Sequence, residues 1–246
     1  LEGKTVLCPS NTFQATPMIC LSNGVKIKYI DCNKDDLCVS TDNLEENIKK
    51  FKPKALWVVH IGGHIAFKIN EISKICKKNN VILIEDCAHA HGASYNNIKP
   101  GSWGEAGIYS LFATKTISTG EGGVLVSKNK DLINFSKQYR NYGKPNNKII
   151  SKNFRMSEFA AALGCAQIER LNDIVEWKNN YVEKKKLEYT KPLKLPSGMI
   201  SGYYKFIVFD KIEESTGKVY DIGCHKIFKQ EVNLPNTDWV NKNHWC

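Results

Sequence analysis

Two residues in this 246-residue chain are placed for chemistry: an acid that ends an apolar run, and a lysine downstream in a small, polar setting. The run is Val81-Ile82-Leu83-Ile84-Glu85-Asp86, followed at once by Cys87-Ala88-His89-Ala90-His91-Gly92. Then come Tyr109-Ser110-Leu111-Phe112-Ala113-Thr114-Lys115 and Gly120-Glu121-Gly122-Gly123. A carboxylate and a lysine amine in one site suit pyridoxal phosphate. Its pyridine nitrogen takes a carboxylate partner and its aldehyde a lysine Schiff base. Of the two acids, Asp86 is assigned to that role over Glu85, because adjacent strand residues face opposite sides and only one can serve the site. Lys115 is the Schiff-base candidate. Ser110 is placed to hydrogen-bond a phosphate, and His89 to hydrogen-bond the cofactor's phenolic oxygen. Neither glycine-rich segment matches a P-loop or a GxGxxG fingerprint.

These residues need elements to hold them. Strands are predicted at Thr5–Cys8, Val25–Asp31, Ala55–His60, Val81–Glu85 and Val124–Val126. Helices are predicted at Leu44–Phe51, Asn70–Asn79 and Asp131–Tyr142, and a long one runs from the Asn153-Phe154-Arg155-Met156-Ser157-Glu158 segment toward Thr190. Continuously apolar strands separated by helices imply an α/β fold, a mostly parallel sheet covered on both faces. Such sheets bind ligands at the carboxyl ends of their strands, which is where Asp86 falls. Pro192 and Pro196 mark a boundary. Residues 1–190 form the larger part, and 191–246, with a strand expected at Tyr203–Phe209, a partial small domain.

Composition removes other classes. A hydrophobic share of 42% with 24% charged residues reads as globular. No apolar run approaches the roughly 20 residues that span a bilayer, and Leu1–Thr5 does not resemble a signal peptide. Nine cysteines without a CxxC, mostly in apolar segments, fit reduced thiols in a cytoplasmic protein. His60 and His64 have the spacing of a helical metal pair, but Gly62 and Gly63 between them disfavour a helix, so no metal is expected. The net charge of +10 raises the alternative of a non-catalytic regulatory or nucleic-acid-binding protein. Because the lysines are spread along nearly every helix, we read that charge as a solvated surface and expect neither a nucleic-acid nor a membrane partner.

Five segments in order resemble the pyridoxal-phosphate-dependent nucleotide-sugar aminotransferases often called the DegT/DnrJ/StrS family, of aminotransferase fold type I. Cys8 to Thr16 is similar to the family's segment carrying the aromatic that stacks on the cofactor ring, matched by Phe13. Val59-His60-Ile61-Gly62-Gly63 looks like its V-H-x-x-G strand end, and Glu85 to Ala90 its E-D-x-A-(H/Q)-A motif. Tyr109 to Lys115 with Gly120 to Gly123 resembles its F-S-x-x-x-x-K…G-E-G-G block, and Asn153 to Glu158 its N-Y-R-M-S-E motif. The resemblance implies amino transfer, with glutamate as donor, to a keto group of a nucleotide-linked sugar. It makes Lys115 and Asp86 catalytic and Phe13, Asp86, His89, Ser110, Lys115 and Asn153 cofactor-binding, with Asn153 reaching the neighbour's phosphate in a homodimer. It also places a Gly-Thr phosphate turn upstream of residue 1, so the chain is expected to be an internal fragment. A sugar dehydratase of the same family is the nearest rival, but there a histidine stands in place of the lysine.

Overall fold

The early strands alternate between two apolar faces rather than between an apolar and a polar one, so each needs cover on both sides. In the computed structural model, which describes residues 1–246 apart from Asn43, Lys148, Glu214 and Thr216, they receive it. The first elements in chain order are β1 (Thr5–Pro9), α1 (Ala15–Leu21), β2 (Lys26–Ile30), α2 (Leu44–Phe51), β3 (Ala55–Val59), α3 (Ile69–Lys78) and β4 (Ile82–Asp86). Leu7, Leu56 and Val58 pack on one side against Leu44 and Ile48 of α2 and Ile69, Ile72 and Cys76 of α3. Val6, Cys8 and Ala55 pack on the other against Cys20 of α1. Each fully buried Leu or Ile contributes about 1.5–3 kcal/mol, so these two layers supply most of what holds the sheet. Acids in the first turn of α2 (Glu45, Glu46) and lysines in its last (Lys49, Lys50) complement the helix dipole.

The chain continues through β5 (Ser94–Tyr95), β6 (Ala106–Ser110), β7 (Gly123–Val126), α4 (Lys130–Tyr139), α5 (Glu158–Glu169), α6 (Leu171–Lys185), β8 (Met199–Ile200), α7 (Cys224–Ile227) and α8 (Pro235–Asn243). The sheet order is β2-β1-β3-β4-β6-β7. Its first five strands are parallel, and β7 runs antiparallel beside β6. The expected α/β architecture is therefore present.

Two local expectations fail, and one strand is unanticipated. Strand β6 has no sequence counterpart because Gly107 interrupts its apolar pattern. The glycine is required there, since a Cβ would stand 2.4 Å from the Gly101 Cα. The single long helix is two, meeting at Arg170, which ends α5 and begins α6. The strand expected at Tyr203–Phe209 does not form. Gly202 and Lys205 donate their N–H groups to the carbonyls of Gly63 and Gly62 instead, and only Val208 bridges, to Pro192 and Trp245.

Residues beyond 190 are bolted to the sheet's carboxyl end. The Asp31 carboxylate, just past β2, accepts from Asn236 N at 3.0 Å and from Thr237 N and Oγ1 at 2.7 Å each, capping α8. Ser10 Oγ lies 2.6 Å from His225 Nδ1, and Asn241 Nδ2 donates to Asn11 Oδ1 at 3.0 Å. Among the described residues no helix is long and apolar enough to cross a membrane.

Candidate active site

Strand β4 ends on two acids with opposite surroundings. Glu85 is fully buried. Its carboxylate accepts from Gly101 N (2.7 Å), Trp103 N (2.8 Å) and Gly104 N (2.6 Å), and its Oε2 lies 3.0 Å from His60 Nε2. His60 Nδ1 accepts from Ala66 N at 3.1 Å, so the ring proton sits on Nε2 and is donated to Glu85. Burial pushes the Glu85 carboxyl up, but the His60 bond and the backbone N–H groups outweigh it and hold it below the usual carboxylate range. Cys87 joins this buried group. The His60 and Glu85 valences are spent on the 101–104 loop and the turn after β3, so the cluster is a structural post rather than a reaction centre.

Asp86 faces the other way and is only half-buried. Its Oδ2 accepts from Thr16 Oγ1 at 2.9 Å and its Oδ1 from Ala88 N at 3.0 Å. Two donors on four acceptor positions leave room for a further charged donor. His89, three residues on, is buried, and its ring stacks on Tyr204 at 4.2 Å and on Tyr220 at 6.0 Å. Its Nδ1 has no hydrogen-bond partner among the described residues. Burial, and then the Lys115 charge, hold the ring's pKa well below its ordinary value, so His89 is neutral.

Lys115 lies in the turn after β6, its N–H donating to Phe112 O at 2.9 Å. Its Nζ stands 4.5 Å from the centre of the Tyr204 ring. Burial lowers the lysine's pKa, while Tyr204 and the Asp86 charge oppose the shift. Asp86, His89 and Lys115 thus converge at the carboxyl ends of β4 and β6, as the strand-end rule requires. Ser110 ends β6 half-buried, its Oγ accepting from Phe112 N at 3.2 Å. Phe13 precedes α1 with 57% of its surface exposed.

Asn153 lies outside this convergence. It is exposed, its Oδ1 accepts from Arg155 N (3.1 Å) and Nε (3.0 Å), and its backbone bridges to Asn141. Three residues missed by sequence reasoning belong to the site: Thr16, Tyr204 and Tyr220. Thr12, in the bend before α1, donates its Oγ1 hydroxyl to Thr16 Oγ1 at 3.3 Å. Tyr204 follows Ser201-Gly202, a turn signal that the aromatic run after it masks.

The chemistry of the donor set fits pyridoxal phosphate. A half-satisfied carboxylate, a neutral buried histidine with an unpartnered nitrogen and a lysine shifted toward its neutral amine are what the pyridine nitrogen, ring oxygen and aldehyde require.

Residues 1–194 match the profile described as the DegT/DnrJ/EryC1/StrS aminotransferase family. A GDP-perosamine synthase from Vibrio cholerae is 33% identical over 187 residues, which are 74% of this chain and 50% of the relative. The chain spans about half the length of the curated relatives it matches. Among solved structures, a DegT DnrJ EryC1 StrS aminotransferase from Brucella abortus superposes with a TM-score of 0.90 at 23% identity, over 99% of this chain and 74% of that one. The E. coli GDP-4-keto-6-deoxy-D-mannose-3-dehydratase, solved with bound hydrated PLP, superposes at 0.81 with 19% identity, over 100% of this chain and 75% of that one. The fold is shared by an aminotransferase and a dehydratase, so the fold alone does not choose the reaction.

Proposed function

Because the chain belongs to the DegT/DnrJ/EryC1/StrS aminotransferase family, we propose that it forms the catalytic part of a pyridoxal-phosphate-dependent aminotransferase. Its reaction moves an amino group from glutamate to a keto group of a nucleotide-linked sugar. The observation that carries this reading is the convergence of Asp86, His89 and Lys115 at the ends of β4 and β6.

When bound, the cofactor supplies an electron-withdrawing ring that stabilises negative charge at the substrate carbon. The protein's share follows from its side chains. Asp86, oriented by Thr16 and Ala88, would hold a proton on the pyridine nitrogen through a charge-assisted hydrogen bond. His89 would offer its unpartnered Nδ1 to the ring oxygen. Lys115 is the attachment point, and its Nζ, with ammonium character weakened by burial, takes and returns the substrate proton. Phe13 would cover the ring and Ser110 would hold the phosphate. Residues 1–190 form the larger, cofactor-binding domain, and 191–246, which bring Tyr204 and Tyr220 to the site, belong to a smaller one.

Asn153 serves a neighbouring subunit in a homodimer. Its exposure and the exposed apolar side chains around it, Phe154 and Phe159, support that placement. Free thiols at all nine cysteines fit a reducing compartment, and we place the protein in the cytoplasm. The dehydratase reading is disfavoured by Lys115, since the resemblance puts a histidine there in dehydratases.

The test is chemical. Protein mixed with pyridoxal phosphate and reduced with borohydride should carry the cofactor's mass on the peptide containing Lys115, and Lys115→Ala should not. Labelling elsewhere, or none, overturns the assignment. A screen of keto-sugar nucleotides with glutamate as donor then identifies the acceptor.

A further inference from the structure

Tyr204 is the side chain that touches both His89 and Lys115, and it arrives from a part of the chain remote in sequence from either. Its placement is over-determined. The N–H groups of Gly202 and Lys205 donate to the carbonyls of Gly63 and Gly62 at 2.8 Å each, bracketing the tyrosine. Gly63 has φ +110°, and a Cβ there would stand 2.5 Å from Tyr204 N and 2.7 Å from Tyr203 N, so only glycine permits the approach. Tyr203 takes φ +39°, a conformation that a bulky residue keeps only when its surroundings hold it. Helix α6 provides that hold: Lys178 Nζ donates to Tyr203 O at 3.1 Å and Asn179 Nδ2 to Ser201 O at 2.8 Å. The ring so presented stacks on His89 at 4.2 Å with an interplanar angle of 20°. It carries Lys115 Nζ 4.5 Å from its centre, and its hydroxyl lies 3.3 Å from Thr114 Oγ1.

We propose that Tyr204 is a positioning residue for Lys115, its ring face fixing where the amine rests beside Asp86 and His89. This rests on the aminotransferase reading for its meaning, though not for its geometry. A lysine that attaches to and detaches from a cofactor must stay within reach while detached. An ammonium held by a ring face has such a resting place, and the contact favours the charged amine against burial. The hydroxyl on Thr114 keeps the ring from turning away.

The experiment reads Lys115 itself in cofactor-free protein. Acetylation by acetic anhydride across pH, followed by peptide mass spectrometry, gives the apparent pKa of each lysine, with exposed Lys78 as internal standard. The groups facing Lys115 (Asp86 on β4, His89 and His91 after it, Lys178 on α6) are the same in every variant. Tyr204→Leu should lower the Lys115 value by roughly half to one and a half pH units, the range expected for loss of a cation–π contact. Tyr204→Phe keeps the ring face and should restore most of that shift. Where Tyr204→Leu fails to fold, Tyr204→Met takes its place, with the same expected fall. One Lys115 titration common to all variants overturns the proposal. If Lys115 shifts as expected but borohydride fixes no cofactor on it, the contact stands and the aminotransferase reading falls.

Discussion

The half of the molecule built on β1, β3 and β4 differs from the half running from β7 through α5 in what covers its apolar residues. In the first, Leu7, Leu56, Ile69 and Ile72 are fully buried between helices and sheet. In the second, α4 and α5 have no buried residue at all, Phe159 is 91% exposed and Ile168 61%. Among the described residues β7 pairs only with β6, so its other edge is open. Phe135, Tyr139 and Phe154 form a stacked aromatic row on the same side of the chain's sequence. An apolar pattern is thus a statement about demand for cover. It does not say that the same chain supplies the cover. An apolar surface of this kind marks a contact with something else.

The sharpest way to break the buried half is at its polar post. Removing the Glu85 carboxylate leaves His60 and the N–H groups of Gly101, Trp103 and Gly104 without their acceptor in a dry interior. Glu85→Ala should cost about 3–5 kcal/mol in urea unfolding, the scale of breaking a buried hydrogen-bonded charge. Acid attacks the same half. Burial holds His64, His91 and His244 down to about 4, so as pH falls below the ordinary histidine value the unfolded chain takes protons that the folded one refuses. Stability is lost on acidification and recovered on returning above that value. Asp36 works oppositely: burial raises it to about 6, so its contribution is lost as pH rises through 4 to 6. Three rings outweigh one carboxyl, and the denaturation midpoint should fall from pH 7 to pH 5 by the equivalent of about 4 kcal/mol. A midpoint that rises on acidification would show that the rings are not buried as drawn. Next in size, Leu56→Ala should cost roughly 2–5 kcal/mol by opening a cavity between the sheet and its helices.

The same contrast governs what could be read before the structure. Strands β1 to β4 and helices α2 and α3 were legible because their apolar spacing is answered within the chain, residue by residue. The acid assignment was legible for a simple reason: alternation puts Glu85 and Asp86 on opposite faces, and the two do point to different partners. Gly107 hid β6, because propensity counts a glycine against a strand even where close backbone contact with Gly101 demands it. Tyr204 was hidden by distance along the chain. Nothing local says that the N–H groups around it will be claimed by the carbonyls of Gly62 and Gly63.

The smallest expected effect on stability lies in the exposed half, and it separates the two halves most cleanly. Phe159 touches water over nearly its whole surface in the isolated chain, so replacing it removes no buried contact. Phe159→Glu should therefore leave the unfolding free energy of dilute protein within about 0.5 kcal/mol of the unchanged chain. Its effect should appear in association. On the homodimer reading, α5 lies against a partner, and a charge placed on it must be desolvated for the partner to bind. Sedimentation equilibrium should then show dimer for the unchanged chain and monomer for Phe159→Glu, at equal stability of the monomer. A variant that unfolds would mean that α5 packs on its own chain, and the contrast between the halves would disappear. A variant that stays folded and dimeric would move the interface away from α5 while leaving the exposed face unexplained by self-association.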